Sequence, residues 1–337
     1  MMSSPTDCAL CTTRFGVLQS PAFLLILTGT LIGFNLPLGK IAGDSGISPM
    51  IWAFMVSLGA AGMLFPVLAV KRRLAVPKGQ MIRYVIVSAL ISFVVPNLLL
   101  FSVIPHVGAG YAGIMFALSP VFTLALAVMF RLKVPTRFGL LGIAIGLIGA
   151  TIVTVTYGAT PEAPPIIWVF AAMLIPMALA CGNVYRTLDW PDNALPDVLA
   201  FWSHTISLTV FLFLMLVING SLPVSELALA PWAALVQVVI AGMTFPVFFR
   251  LQQRGGPVLL SQVGYVAAAV GLITATFLLG EKYSLMTWVG VAVIAFGIAI
   301  TLVAQVTESL HLSDKSLFGL TGWFPVRGRA VLERRAQ

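Results

Sequence analysis

Gly33-Phe34-Asn35-Leu36 and Cys181-Gly182-Asn183-Val184 lie 148 residues apart, each placing an asparagine within a long apolar run. The same offset, to within one residue, carries Pro49, Ala53 and Phe54 onto Pro196, Ala200 and Phe201. It also carries Gly142 and Gly149 onto Gly290 and Gly297. The chain therefore reads as two copies of one unit. Each unit contains five apolar runs, so an odd number of crossings turns the second copy upside down.

Composition places the chain in lipid. Only 9% of its 337 residues are charged, 59% are hydrophobic, and mean hydropathy is +1.03. A soluble domain carries about 25% charged residues. The formal charge of +8 is not a nucleic-acid signature, because the basic residues fall between apolar runs rather than along one face. The partners expected are membrane lipid and a small-molecule substrate, with no nucleic acid.

Ten runs can be marked: 21–41, 49–70, 82–104, 109–130, 137–157, 164–185, 196–218, 231–250, 257–279 and 285–305. Each is long enough to cross about 30 Å of hydrocarbon as a helix, the form that satisfies its own backbone polar groups in lipid. Pro37, Pro96, Pro120, Pro176 and Pro246 predict bends within the runs. The expected fold is an all-α integral membrane protein of ten transmembrane helices, arranged as two inverted five-helix repeats. The expected units are a cytoplasmic tail over 1–20, repeats over 21–157 and 158–305, and a basic cytoplasmic tail over 306–337. That last tail either lies on the anionic inner leaflet or is disordered.

Lysine and arginine set the orientation. Counting loops from a cytoplasmic N-terminus, one side receives seventeen of the nineteen, including Lys71, Arg72, Arg73, Lys78, Arg83, Arg131, Arg137, Arg186, Arg250 and Arg254. The other side receives Lys40 and Lys282. The positive-inside rule puts both termini in the cytoplasm of a multi-pass inner (plasma) membrane protein. The N-terminus has no signal-peptide pattern. Cys8-Ala-Leu-Cys11 has half the spacing of a zinc site without a second ligand pair, and neither metal nor cofactor is expected.

Inverted repeats around a central site are an architecture of secondary carriers. At this point the chain resembles the EamA-type family of the drug/metabolite transporter superfamily over residues 21–305. The matching pieces are Gly33-Phe34-Asn35 with Lys40, Ser48-Pro49, Ser119-Pro120, and Gly280-Glu281-Lys282 before the glycine-rich last run. The chain departs from the family pattern at Phe130-Arg131-Leu132-Lys133, where a Gly-Glu element is usual. It departs again at Val56-Ser57, where an arginine is often seen, and at Ser261-Gln262-Val263-Gly264-Tyr265, where a proline is usual. The resemblance implies transport by alternating access, in the export direction, around a path lined by spans one to four and six to nine.

All eleven acidic residues fall in loops, tails or span ends, so no carboxylate is available at mid-depth as a proton relay. An exporter or exchanger of small polar or amphiphilic metabolites such as amino acids is the leading reading. A channel-like facilitator and an integral-membrane enzyme are the alternatives; no acid–base pair or nucleophile with its base supports the latter. Substrate-binding candidates are the polar and aromatic residues at depth: Asn35, Lys40, Trp52, Asn97, Tyr111, Asn183, Trp202, His204, Gln237, Gln262 and Tyr265. Asn35 and Asn183 either grip substrate or join helices. His204 is either a proton acceptor or ligand, or bonds a neighbouring helix. Lys40 either attracts an anion or snorkels to the interface, and Trp52 and Trp202 line the path, anchor at the membrane interface or face lipid. The glycine faces of the fifth and tenth runs suit packing within the chain or a homodimer contact.

A single cysteine introduced within 71–83 should resist an impermeant external thiol reagent and react after permeabilisation. Labelling from outside would reverse the orientation.

Overall fold

The computed structural model describes residues 20–132, 136–158 and 165–317. The N-terminal tail with Cys8, Cys11 and Arg14, and the basic tail beyond residue 317, lie outside them. Among the described residues every regular element is helical. We label them α1 (Pro21–Asp44), α2 (Pro49–Val70), α3 (Gln80–Val107), α4 (Ala109–Met129), α5 (Arg137–Gly158), α6 (Ile166–Leu188), α7 (Pro196–Asn219), α8 (Pro231–Ser261), α9 (Val263–Leu279) and α10 (Leu285–Leu317). Seven of these, α1 to α4 and α6 to α8, are long and apolar enough to cross a membrane, and shorter apolar helices occupy Arg137–Gly149, Val263–Leu279 and Leu285–Thr301.

Proline and glycine decide where these helices start and bend. Proline is the first residue of α1, α2, α7 and α8, where its missing N–H has no intrahelical partner to lose. The Ser20 hydroxyl accepts from Phe23 N at 3.2 Å and caps α1. Within α3, Pro96 cannot bond the Ser92 carbonyl, and the turn just before it widens into a π-helix over Ala89–Val94. Pro120 likewise frees the Phe116 carbonyl, and α4 breaks at Leu118. Gly264 of α9 abuts that freed carbonyl, where a Cβ would not fit. The continuous trace of α8 hides a break at Gly256 (φ 67°, ψ −171°), a backbone open to glycine, so one helix ends there and another starts at Pro257.

Small residues let the two halves interleave. Gly29 and Gly33 of α1 press on Val266 and Val270 of α9, and Gly59 of α2 meets the Val238 backbone of α8. Contacts of α6 with α4 and of α7 with α3 repeat this scheme with the halves exchanged. Helices from each half thus form one bundle, with α1 to α4 and α6 to α9 around its centre and α5 packed on α10.

The glycine faces of α5 and α10 meet each other: a Cβ on Gly142 would lie 2.7 Å from Gly297 O, and one on Gly149 would lie 2.7 Å from Gly290 O. These glycines pack within the chain. One boundary moves. Helix α10 continues past residue 305 to Leu317, because no glycine or proline stops it there.

Gly149→Ala should lower the melting temperature of the detergent-solubilised protein. It forces a methyl against backbone atoms that cannot yield, a loss of about 1–3 kcal/mol. An unchanged transition would separate α5 from α10.

Candidate functional site

Charged and loop residues collect at two ends of the bundle. At one end Leu24, Lys71, Arg73, Pro196, Asp197, Arg250 and Arg254 surround a cleft of about 260 Å³. Arg250 pairs with Asp197 at 2.8 Å, and Trp202 Nε1 donates to Ala75 O at 2.9 Å. At the other end the carboxylates cap helices: Glu226 accepts from Ser48 N at 2.7 Å, while Glu281 accepts from Ala109 N and Gly110 N at 3.3 and 3.4 Å. A carboxylate at a helix N-terminus meets unsatisfied N–H groups and the positive end of the dipole. This gives Gly280-Glu281-Lys282 a structural task.

Between the two ends runs a buried polar seam along α8. Gln237 Nε2 donates to Asn35 Oδ1, while Asn35 Nδ2 donates to Leu31 O at 3.0 Å. This joins α1 of the first half to α8 of the second. Deeper in, His204 Nδ1 of α7 lies 3.4 Å from Ser57 Oγ of α2. These two residues, 147 apart, occupy equivalent places in the two repeats, so their contact marks where the halves meet. Phe93 and Phe245 pack at a tilt against the His204 ring, with centroids 4.2 and 3.9 Å away.

The third layer centres on Arg186, in the last turn of α6. It was counted among the loop charges that set orientation; the helix instead carries it into the bundle, where the residue is only 2% exposed. Its Nε donates to Gln252 Oε1 at 2.8 Å and its Nη2 to Asn183 Oδ1 at 2.8 Å. Gln252 is held in turn, donating to Asn183 O and Thr187 Oγ1 at 2.9 Å. The guanidinium lies over Phe248 at 4.9 Å and Phe93 at 5.6 Å, within cation–π range. Gly182 makes room: a Cβ there would sit 2.5 Å from Ser92 Oγ and 3.2 Å from Arg186 Nη1. Gln237 and Gln252 are fifteen residues apart, so the seam spans about 22 Å at 1.5 Å per residue.

The acid nearest in sequence is engaged elsewhere. Asp189, just past α6, binds Arg83 through two contacts and accepts from Tyr185 Oη at 2.6 Å. Burial pushes its carboxyl up, but hydrogen bonds from Arg83 and Tyr185 outweigh this and hold it below the usual carboxylate range. Its stabilising effect is therefore present at neutral pH and lost as pH falls through that lowered value. Among the described residues no carboxylate pairs with Arg186.

The candidates divide accordingly. Asn35, Asn183, His204 and Gln237 belong to the seam. Trp52 and Gln262 are buried with side-chain polar atoms unpartnered, and Gln262 sits at the joint between α8 and α9. Tyr111 is buried in α4 and Asn97 half-buried in α3. Three lie away from the seam. Lys40 pairs with Asp44 at 2.6 Å on its own helix, Trp202 fastens the 71–79 loop, and the Tyr265 hydroxyl donates to Ile143 O of α5 at 3.2 Å. Sequence reasoning missed Arg186, Gln252, Phe93 and Phe248. The available signal was the Asn183–Arg186 spacing, since i and i+3 share a helix face.

The EamA-like transporter family matches this chain twice, over residues 19–155 and 165–303. The chain belongs to that family and is a multi-pass membrane protein. No curated protein matches it. A solved structure titled "Crystal structure of protein" shares the fold, with a TM-score of 0.62 and 17% identity over 85% of this chain and 98% of that one.

Asn183→Ala removes an acceptor from a buried guanidinium, a bond of about 1.5–3 kcal/mol. It should cut transport about tenfold or more at normal membrane expression. Asn35→Ala removes an interhelical bond of about 1 kcal/mol and should cut it several-fold. Wild-type kinetics in both variants would remove the asparagines from the site.

Proposed function

We propose that the protein is a ten-span secondary carrier of the inner membrane, with both termini cytoplasmic, that exports or exchanges small polar or amphiphilic metabolites. The two five-helix repeats are inverted, and transport proceeds by their rocking around the α8 seam. The observation that carries this reading is the double family match, one per half. It is supported by the interleaving of the halves and by the seam of polar side chains at their junction. In lipid such groups are costly unless they face one another or a cargo.

The seam contains amides, hydroxyls, one histidine and one arginine. None of these is the carboxylate that proton-coupled carriers commonly use, which favours exchange. The prolines and the breaks at Leu118 and Gly256 supply bending points on both sides of the centre.

Purified protein in liposomes, screened against labelled metabolites with and without a pH gradient, tests this. Saturable uptake that is accelerated by the same compound inside and indifferent to the gradient is the expected result. Uptake that never saturates would identify a channel, and uptake that needs the gradient would overturn the exchange mode.

A further inference from the structure

Resting on the carrier reading, we propose that Arg186 is the recognition group for a carboxylate on the transported molecule, and that the cargo is an organic monoanion with an apolar or aromatic body. Arginine presents five N–H donors, and two are used by Gln252 and Asn183. The other three have no acceptor among the described residues. A buried guanidinium held by two neutral acceptors and no counter-charge is left with its charge uncompensated. Asp189 cannot supply it, since Arg83 and Tyr185 hold that carboxylate outside the bundle centre.

The surroundings fit a ligand rather than a missing protein partner. Gln252 and Asn183 orient the guanidinium plane while leaving its charge uncompensated. The planar fork then matches a carboxylate through two parallel bonds. One fixed positive charge among neutral amides suits a single negative charge; a dianionic phosphate would leave one charge unmatched. Phe93 and Phe248 wall the group on its ring faces, and Phe245 extends that wall towards His204, so the body beyond the carboxylate is apolar. Ser92 Oγ and His204 Nε2 are buried without partners and can bond a second polar group on the cargo.

The approach to this layer carries the same sign. The cleft at the basic end of the bundle is lined by Lys71, Arg73, Arg250 and Arg254 against one carboxylate, Asp197. Gln253, next to Gln252 in α8, lies in its wall. A cleft lined by one sign of charge concentrates the opposite ion.

The test is uptake into liposomes of matched compounds built on propyl, phenylpropyl and indolylpropyl bodies. Each body is supplied as a carboxylate, an amide, an amine and a phosphate ester. Carboxylate-bearing members alone should be taken up. Arg186→Gln should lower that uptake at least tenfold, and Arg186→Lys, which keeps the charge and loses the fork, should retain part of it. Size-exclusion profiles confirm that both variants fold, and the selectivity of the unmodified protein tests the claim without any variant. Uptake of an amide, amine or phosphate ester as readily as the carboxylate, or unchanged uptake by Arg186→Gln, overturns the inference and leaves the carrier reading standing. Uptake of none of the compounds by folded protein counts against the carrier reading and the inference together.

Discussion

The close crossing of α1 on α9 and of α2 on α8 is the constraint on which the rest of the bundle depends. Lipid is as apolar as leucine, so helices in it gain little from burying side chains and rely on tight backbone approach. Gly29, Gly33 and Gly59 provide that approach here. Because each of these pairs joins one half to the other, the halves interleave instead of standing side by side. The polar seam then falls along α8 with residues of both halves on its flanks.

That arrangement divides the polar groups by depth. Glu226 and Glu281 at the less basic end are engaged as helix caps, and most of the basic residues gather at the opposite end. The centre is left with neutral hydrogen-bonding groups and one guanidinium. Pro96 contributes directly: the widened turn before it carries both Ser92 and Phe93, which flank the Arg186 layer. A rule about proline in a single helix thus becomes a statement about the site.

The fold was legible because apolar runs, proline positions and glycine repeats are local signals. Pro49, Pro196 and Pro231 stand at observed helix starts, and Gly256 stands where the eighth and ninth runs were expected to part. The site was legible only in part. Asn35, Asn183, His204 and Gln237 stand out in the sequence because polar side chains are costly in lipid, and the repeat pairs Asn35 with Asn183. Arg186 was misread because an arginine one residue beyond an apolar run looks like a loop charge until the helix is seen to continue through Leu188. Lys40 pairs with Asp44 on its own helix and the Tyr265 hydroxyl donates to α5, contacts that residue type alone does not reveal. Aromatic side chains such as Phe93 and Phe248 carry no mark in a sequence already rich in them.

The central claim is that the seam opens in turn to the two sides of the membrane. Its most direct measurement is the reactivity of Ser92→Cys, in a chain whose Cys8, Cys11 and Cys181 are serine, towards an impermeant thiol reagent applied from each side. Modification from both sides, slowed by a transported compound, is the result this account predicts. Modification from neither side, or from one side only, would contradict it.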